Sequence, residues 1–378
     1  MTNYRGAPPP EDPPRRSARP EVAVLQAGSW GTTLATILAR DGGRSVRLWT
    51  RDPRQAEEIA ARRENRRYLP GIRIPDSVDV TSDLDRALEA LDLIVAVPAG
   101  GVRAFRDRVA PVLRPEHRIL SATKGLADDG SRMSQLWSQA VGASRVAVLS
   151  GPNISREIAA GLPSPTVVAS DDVSTARHFQ ALVGTRMFRA YTNDDVVGVE
   201  LCGALKNIVA LGAGAIDGMG YGDNAKAGFM TRGLAEIVRF AFTQGANPLT
   251  AAGLAGFGDL IATCMSKHSR NRLVGELLAS GSTIEQVRER LGGQVAEGIG
   301  TTEATYAAAK RSGVTMPITE QTYLVLFSGR PIRDAMRDLM DRERGEEIAG
   351  PLADVARLVS QLSAARREPS AAPVRQPS

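Results

Sequence analysis

Residues 196–224 form the most apolar segment of the chain and yet carry a lysine, Lys206, near the middle. Between residues 196 and 216 the only charged side chains are Glu200 and Lys206. An apolar segment of this length without a polar face is typical of a helix that is buried on all sides. The glycines within it lower helix stability but let other backbones approach closely. The sequence therefore predicts a central helix that the rest of the chain must surround.

Lys206 needs a partner from another part of the chain. It lies six residues after Glu200, and this spacing does not place two side chains on the same face of a helix. Removal from water disfavours the charged form of an ammonium group, which suits a lysine that gives and takes protons. The alternative is a lysine that buries its aliphatic stem and extends its head to solvent.

Length and charge favour a two-domain protein that does not bind nucleic acid. The 378 residues suffice for two separate cores, and the net charge is +5. Seven arginines lie in the terminal stretches 1–20 and 364–378, so the body of the chain is nearly neutral and has no basic stripe with interleaved aromatics. Both stretches are rich in proline and polar residues, and we expect them to be disordered tails.

Several further classes of protein are disfavoured. The two cysteines, Cys202 and Cys264, lie in apolar or glycine-rich contexts and form no disulfide framework, which fits a reducing cytoplasm. The three histidines are scattered without metal-ligand spacing, so we predict no metal site. No apolar run has the length and lack of charge of a membrane span, and the N-terminus has no signal-peptide core.

The first ordered elements predict a dinucleotide-binding β-α-β unit. A short apolar strand at residues 21–26 leads through a glycine turn into a helical pattern, and a second strand follows at residues 45–50. In such units the pyrophosphate lies at the helix N-terminus, where free N–H groups and the helix dipole favour negative charge. A β-α-β unit that binds no nucleotide is the alternative.

The glycine fingerprint of this turn departs from G-x-G-x-x-G at its first position. Gly28 and Gly31 supply the second and third glycines, but Gln26 replaces the first. A side chain there is tolerable if the φ angle is negative and costly if it is positive. After the second strand, Arg51 stands where it would pair with the 2′-phosphate of NADP, while Asp52 keeps NAD possible. We therefore expect NADP or NAD as the cofactor.

Strands continue to alternate with helices up to about residue 192. Further strands are predicted at 78–81, 91–97, 118–123, 146–149, 166–170 and 187–191, and residues 65–75 are interpreted as a surface loop. This alternation predicts an α/β fold, a Rossmann-like, doubly wound and mostly parallel sheet whose ligands lie beyond the carboxyl ends of its strands. Lys124 follows one of these strands and is therefore well placed to meet an anion.

From residue 194 the chain shows helical patterns and almost no strand signal. We predict a dinucleotide-binding domain at 21–192 and an all-α substrate domain at 193–346. Asp259 lies where a glycine turn gives way to a helix, so it is either an N-cap or a functional carboxylate, and Thr263 lies over the same face. Ser269 suits an N-cap, and the arginine next to it, Arg270, either binds a phosphate or is a solvated surface charge.

With these elements placed, the chain resembles the bacterial NAD(P)-dependent glycerol-3-phosphate dehydrogenases. The matching runs are AGSWGTTLA, AVPAG, ATKGL, RMSQ, LSGPN, GVELCGALKNIVA, GYGDNAKA, TRGLAEI, GLAGFGDLIATC, SRNR, VAEG and MPIT. They span roughly residues 22–344, and ALKN followed by GDL and SRNR is a specific combination. Gln26 departs from this family as well, since its members have glycine there.

The resemblance assigns roles to residues of this chain. It implies that Lys206, Lys124 and Asp259 are catalytic, with Lys206 transferring the proton. The cofactor-binding positions, including those of the glycine turn, are Gly28, Ser29, Trp30, Gly31, Arg51, Lys124, Ser155, Arg270, Val295 and Glu297. The substrate-binding positions are Lys124, Gly151, Asn153, Lys206, Asp259, Ser269, Arg270 and Asn271. Asn153 departs from many relatives, which have serine there.

The implied reaction is the reversible reduction of dihydroxyacetone phosphate to sn-glycerol 3-phosphate, which supplies phospholipid synthesis in the cytoplasm. The expected partner is this small substrate, and a homodimer is left open. Two other functions are weighed. Gln26 would suit a divergent copy of low activity that serves as a dinucleotide sensor, and a related reductase would act on another phosphorylated hydroxy acid.

Overall fold

The computed structural model describes residues 20–342. Its strands are β1 (Val22–Leu25), β2 (Val46–Trp49), β3 (Glu64–Asn65), β4 (Leu69–Arg73), β5 (Asp79–Thr81), β6 (Asp92–Val95), β7 (Arg118–Ser121), β8 (Val146–Ser150), β9 (Ser164–Ala169) and β10 (Phe188–Asn193). The helices of the N-terminal part are α1 (Ser29–Arg40), α2 (Pro53–Arg62), α3 (Leu84–Ala87), α4 (Ala99–Val109), α5 (Met133–Val141), α6 (Ser155–Ala159) and α7 (Val173–Val183).

The remaining helices belong to the C-terminal part. They are α8 (Val196–Met219), α9 (Gly222–Thr243), α10 (Asp259–Met265), α11 (Arg270–Ala279), α12 (Ile284–Arg290), α13 (Glu297–Ser312), α14 (Pro317–Phe327) and α15 (Ile332–Met340). A π-helical turn, Leu254–Gly258, leads into α10. The predicted disordered tails and the end of the predicted helical domain, residues 343–346, lie outside the described residues, apart from Pro20.

Eight strands form one twisted sheet in the order β10-β9-β8-β7-β6-β1-β2-β5. Neighbours pair in parallel except β8 and β9, so the last two strands run against the others. The chain moves outward from β1 to β2 and β5 and then returns to β6 on the other side of β1. This reversal creates a crevice at the carboxyl ends of β1 and β6, where doubly wound sheets bind their ligands. The predicted Rossmann-like sheet is confirmed.

The interpretation of residues 65–75 as a loop is wrong in part. The strands β3 and β4 pair there as a small antiparallel hairpin with an irregular register. Leu69 and Ile74 are buried, and they hold the hairpin against the sheet domain. The strands are short, and a proline and a glycine interrupt the second, so the alternation that marks a strand is missing from the sequence.

Helix α8 is the centre of the helical part, as predicted. Its apolar side chains are buried along nearly its whole length, because α9, α10, α11 and α13 pack around it. Two glycines allow the closest approach. A Cβ added at Gly214 would come within 1.8 Å of the carbonyl oxygen of Arg272, and one at Gly275 within 1.8 Å of that of Leu211. Helices α8 and α11 thus touch backbone to backbone.

Judged by length and composition alone, α8 is long and apolar enough to cross a membrane. Its mean hydropathy over eighteen residues is 1.6, but 83% of that window is buried inside the protein. In this structure α8 packs as a core helix, as the apolar pattern predicted.

Candidate active site

A cleft of about 440 Å³ lies between the carboxyl edge of the sheet and the helical part. It is lined from the sheet side by the β1–α1 turn, the segments after β6, β7 and β8, and the β3–β4 hairpin. From the helical side come α8, α10, α11 and the residues before α13. Of the predicted site residues, the cleft lining includes Gly28, Ser29, Trp30, Lys124, Asn153, Ser155, Lys206, Ser269, Arg270, Asn271, Val295 and Glu297.

The floor of the cleft carries one carboxylate between two ammonium groups. Lys206 Nζ lies 2.9 Å from Asp259 Oδ1, and Lys124 Nζ lies 2.7 Å from Asp259 Oδ2. Lys206 also donates a hydrogen bond of 2.6 Å to Thr263 Oγ1, and Lys124 one of 2.7 Å to the carbonyl oxygen of Gly151. We call Lys124, Asp259 and Lys206 the cleft cluster.

This geometry decides between the alternatives for Lys206 and Asp259. Lys206 is 5% exposed and ion-paired, so its head does not reach bulk solvent. Asp259 is the first residue of α10, and its carboxylate binds the two lysines instead of capping the helix; Gly258 occupies the N-cap position. Thr263, one turn later, donates a hydrogen bond of 3.1 Å to Asp259 Oδ1.

Burial and charge act in opposite directions within the cleft cluster. Burial lowers the pKa of Lys124 from 10.5 to about 8, because the attraction of Asp259 only partly offsets it and Lys206 adds repulsion. Burial alone would raise the pKa of Asp259, but the two lysines outweigh it and hold that pKa below its ordinary value. Asp259 is therefore an anion at neutral pH, and Lys124 titrates near the physiological range.

The N-terminus of α11 forms a second, cationic region of the cleft. Ser269 is the N-cap, as predicted, and its Oγ accepts a hydrogen bond from the Arg272 N–H. Within residues 20–342, Arg270 makes no ion pair or side-chain hydrogen bond, and burial lowers the pKa of its guanidinium. A partly buried cation that makes no direct ion pair, beside a helix N-terminus, is suited to a phosphate.

Asn271 holds this region together as well as lining it. Its Nδ2 donates a hydrogen bond of 2.8 Å to Asn207 Oδ1, and its Oδ1 accepts one of 3.0 Å from the Gly298 N–H. The amide therefore connects α11 to α8 and to the first turn of α13. Asn207 directly follows the buried lysine and lines the cleft too.

Glu297, at the start of α13, closes the cleft from the helical side. Its Oε1 accepts a hydrogen bond of 3.2 Å from the Ala99 N–H at the start of α4. Burial raises the pKa of Glu297 to about 6, although this hydrogen bond and the charge of Arg270 act in the other direction. The carboxylate thus connects the two halves of the chain next to Arg270.

The β1–α1 turn forms the opposite end of the cleft. The first N–H groups of α1 have no side-chain cap, and a Cβ added at Gly28 would meet no atom within 4 Å. At Gly31, by contrast, a Cβ would come within 2.0 Å of the Gln26 carbonyl oxygen. Gly28 thus leaves room beside the free N–H groups, and Gly31 allows the turn to close. These residues therefore fit a dinucleotide pyrophosphate.

Four of the predicted residues lie outside the cleft lining. Gly31 and Asp259 lie directly behind it, and Gly151 contributes the carbonyl that binds Lys124. Arg51 is exposed at the carboxyl end of β2 and does not line the cleft. Asp52, which was expected to keep NAD possible, caps α2 by accepting a hydrogen bond from the Arg54 N–H.

The structure also adds residues that the sequence did not single out for the site. They include Tyr68, Leu69 and Pro70 from the hairpin, Asn207, His268, and the segment Gly293–Gln294 before α13. Only Asn207 had a usable signal, since it follows Lys206 in the same buried helix. The hairpin residues had none, because their place over the cleft depends on tertiary packing.

The fold and the cleft together define the class of protein. A doubly wound sheet with a phosphate-binding turn, joined by a cleft to a helical domain with a buried, ion-paired lysine, is the organisation of a two-domain dehydrogenase that uses a nicotinamide dinucleotide. Within residues 20–342, no group of three His, Cys, Asp or Glu side chains is placed to hold a metal ion.

Comparison with known proteins identifies the family. The models of the NAD-dependent glycerol-3-phosphate dehydrogenase N-terminus and C-terminus match residues 21–176 and 195–337. A glycerol-3-phosphate dehydrogenase [NAD(P)+] of Chlorobium limicola is 45% identical over 332 residues, which cover 86% of this chain and 99% of the relative. Its counterpart in Parafrankia is 49% identical over 330 residues, covering 86% and 98%. The chain therefore belongs to the NAD-dependent glycerol-3-phosphate dehydrogenase family.

Solved structures agree with this assignment. The crystal structure of glycerol-3-phosphate dehydrogenase from Coxiella burnetii superposes with a TM-score of 0.82 at 36% identity and covers 86% of this chain and 99% of that one. A D-mandelate dehydrogenase with bound NADH has a TM-score of 0.54 at 10% identity, which shows a shared fold alone.

Proposed function

We propose that the protein reduces dihydroxyacetone phosphate to glycerol 3-phosphate with NADPH or NADH, and that Lys206 supplies the proton. The observation that carries this proposal is the cleft cluster, in which a buried lysine at the cleft floor shares one carboxylate with a second lysine. When bound, the nicotinamide dinucleotide supplies a hydride to the carbonyl carbon of the substrate.

Lys206 handles the charge that this transfer creates on the substrate oxygen. As ammonium it donates a proton to the developing alkoxide, and in the reverse direction its amine accepts the proton from the hydroxyl. Asp259 and Thr263 hold Nζ of Lys206 in place by contacts of 2.9 and 2.6 Å, so the lysine is oriented before the substrate binds.

Lys124 polarises and orients the substrate from the other side of Asp259. The carbonyl of Gly151 and the carboxylate of Asp259 fix its Nζ, and Asn153 lies nearby on the same segment after β8. Because the pKa of Lys124 is near 8, its charge is present at neutral pH but depends on pH above it. Lys206, Lys124 and Asp259 are thus the proposed catalytic residues.

The α11 N-terminus would hold the substrate phosphate. Arg270 offers a planar fork of donors, which matches phosphate bidentately, and Ser269 and Asn271 flank it. A substrate without phosphate would leave the partly buried Arg270 guanidinium without a direct partner, so the site favours phosphorylated ketones. Arg270 therefore disfavours a reductase of an unphosphorylated acid.

The dinucleotide would lie across the other end of the cleft. Gly28 and Ser29 at the α1 N-terminus would hold its pyrophosphate, with Gly31 behind the turn. The remaining positions proposed to contact it are Trp30, Arg51, Lys124, Ser155, Arg270, Val295 and Glu297. Arg51, at the carboxyl end of β2, would pair with a 2′-phosphate, which makes NADPH an accepted cofactor.

The proposed function also assigns a role to each domain, a cellular location and an assembly. Residues 21–192 would bind the dinucleotide and residues 193–346 the substrate. The protein would work in the cytoplasm as a homodimer and would supply glycerol phosphate for phospholipid synthesis.

Steady-state assays of the purified full chain test the function. Oxidation of NADPH, and separately of NADH, is followed with dihydroxyacetone phosphate, with dihydroxyacetone and without a ketone. We expect turnover that requires the phosphorylated ketone. Equal rates with both ketones would contradict the role of Arg270, and dinucleotide binding without any turnover would favour the dinucleotide sensor instead.

A further inference from the structure

Gln26 has a backbone conformation that favours glycine. Its φ angle is +94°, and among residues 20–342 the only other non-glycine residue with a positive φ is Arg63. A side chain in this region is strained, so glutamine costs folding free energy that glycine would not. Such strain next to a ligand site points to a functional reason for the residue.

Neighbouring groups hold the turn in this conformation. The Ala27 carbonyl accepts hydrogen bonds from Gln55 Nε2 at 2.8 Å and from Asn65 Nδ2 at 2.9 Å. The carbonyl of Gln26 itself lies against Gly31, where even a Cβ would not fit. The backbone is therefore fixed from both sides, and Gln26 is one of the residues that line the cleft.

The amide of Gln26 is available for a ligand. Within the described part of the chain, it makes no side-chain hydrogen bond, and it offers two N–H donors and one acceptor. Gly28 and Ser29, two and three residues later, line the same end of the cleft, where the α1 N-terminus presents its free N–H groups. A neutral donor is thus placed next to the anion-binding turn.

We propose that the Gln26 amide donates a hydrogen bond to the pyrophosphate–ribose portion of the dinucleotide, and that this contact offsets the strain of a non-glycine residue in the turn. The inference rests on the proposed function, since it needs the cofactor in this cleft. The pyrophosphate and its riboses are common to NADH and NADPH, so Gln26 strengthens the binding of both equally.

Two substitutions separate the hydrogen bond from the strain. Gln26→Met keeps the side-chain length and the strained backbone but removes the donor, whereas Gln26→Gly removes both. Dissociation constants for NADH, NADPH and ADP-ribose are measured by titration calorimetry on the full chain, together with the thermal midpoint without ligand. We expect each dissociation constant to rise about five- to tenfold in both variants. The midpoint should rise by about 2 °C in Gln26→Gly alone.

Four results would overturn the inference. Unchanged or tighter binding by Gln26→Gly would show that the side chain obstructs the site or is idle. Weaker binding of NADPH only would place the contact at the 2′-phosphate. A wild-type protein that binds no dinucleotide would refute the proposed function together with this inference. Wild-type binding and turnover with unchanged affinity in both variants would refute the role of Gln26 alone.

Discussion

Two clusters along α8 each place one carboxylate between two cationic side chains, but they differ in their surroundings. In the cleft cluster, Asp259 lies between Lys124 and Lys206. In the second, which we call the closed cluster, Asp217 lies between Lys226 and Arg272, with Lys226 Nζ at 2.7 Å and Arg272 Nε at 2.6 Å from Asp217 Oδ2. Lys206 and Asp217 belong to the same helix and are about 16 Å apart along its axis.

The difference is access to the cleft. Lys206 and Lys124 line it, whereas none of the three closed-cluster residues does. The closed cluster joins the end of α8 to α9 and α11, so its charges satisfy one another and stabilise the packing of these helices. One carboxylate between two cations is thus not by itself a catalytic arrangement; it becomes one where a cation faces a cavity that a substrate can enter.

The largest expected effect separates the two lysines. Lys206→Met should lower kcat about 10³-fold, because the proton donor is lost, while the dissociation constant for NADPH stays the same. The matched variant Lys226→Met should keep kcat within about twofold but lower the free energy of unfolding by about 2 kcal/mol, because it leaves a largely buried ion pair incomplete. Steady-state kinetics and denaturant unfolding measure both. A kcat of Lys206→Met close to that of the wild type would refute the assignment.

The two arginines of α11 provide the next comparison. Arg270→Ala should raise the KM for dihydroxyacetone phosphate about 100-fold, because a charge-assisted, buried contact to phosphate is removed. Its effect on the slow reduction of dihydroxyacetone should be far smaller. Arg272→Ala should instead lower stability and change this KM less than about threefold. Equal KM effects in the two variants would remove the distinction between the clusters.

The pH dependence of stability tests the charge balance at Lys124. Its pKa is lowered from 10.5 to about 8, so on raising the pH the folded protein releases this proton before the unfolded chain does. Between these values Lys124 binds more protons in the unfolded chain, so its contribution to the free energy of unfolding rises with pH. The gain is on the order of 3 kcal/mol across this window.

Lys124→Met supplies the control for this effect. Denaturant unfolding of both proteins at several pH values between 7 and 10.5 gives the difference in stability, which should shift in favour of the wild type as the pH increases. A pH-independent difference would show that the folded state does not depress the pKa of Lys124.

The smallest expected effect concerns an exposed charge. Arg51→Ala should weaken NADPH binding about fivefold and leave NADH binding unchanged, because only NADPH has a 2′-phosphate and solvent screens an exposed cation. Titration with each cofactor at low and high salt is the measurement. A parallel loss for NADH would assign Arg51 to a part that both cofactors share.

The spacing of apolar residues, together with turn and capping residues, was sufficient to predict most of the fold. All eight strands of the main sheet lie where short apolar runs predicted them, and α8 covers the apolar segment around Lys206. Ser269 caps α11 as its residue type and position indicated. These features are local, because they depend on the 2.0 and 3.6 residue repeats and on the capping of free N–H groups.

The partners of the buried charges were not predictable in this way. Asp259 suited an N-cap equally well by its position, and its contact with Lys124 joins residues 135 positions apart. The sequence is compatible with either a negative or a positive φ angle at Gln26. The packing against Gly31 and the hydrogen bonds at Ala27 hold it at a positive value. The β3–β4 hairpin was missed for the same reason.

The sequence by itself determined the succession of strands and helices along the chain, the apolar helix that carries Lys206 and, through its motifs, the family. Only the tertiary structure decided which lysine shares Asp259 with Lys206, which arginine of α11 is left unpaired, and which of two similar clusters opens to the cleft. The geometry of strands and helices imposes repeats of 2.0 and 3.6 residues, which can be recognised in a short stretch of sequence. The electrostatic energy of a buried charge, by contrast, depends on groups from distant segments, which come together only when the chain folds.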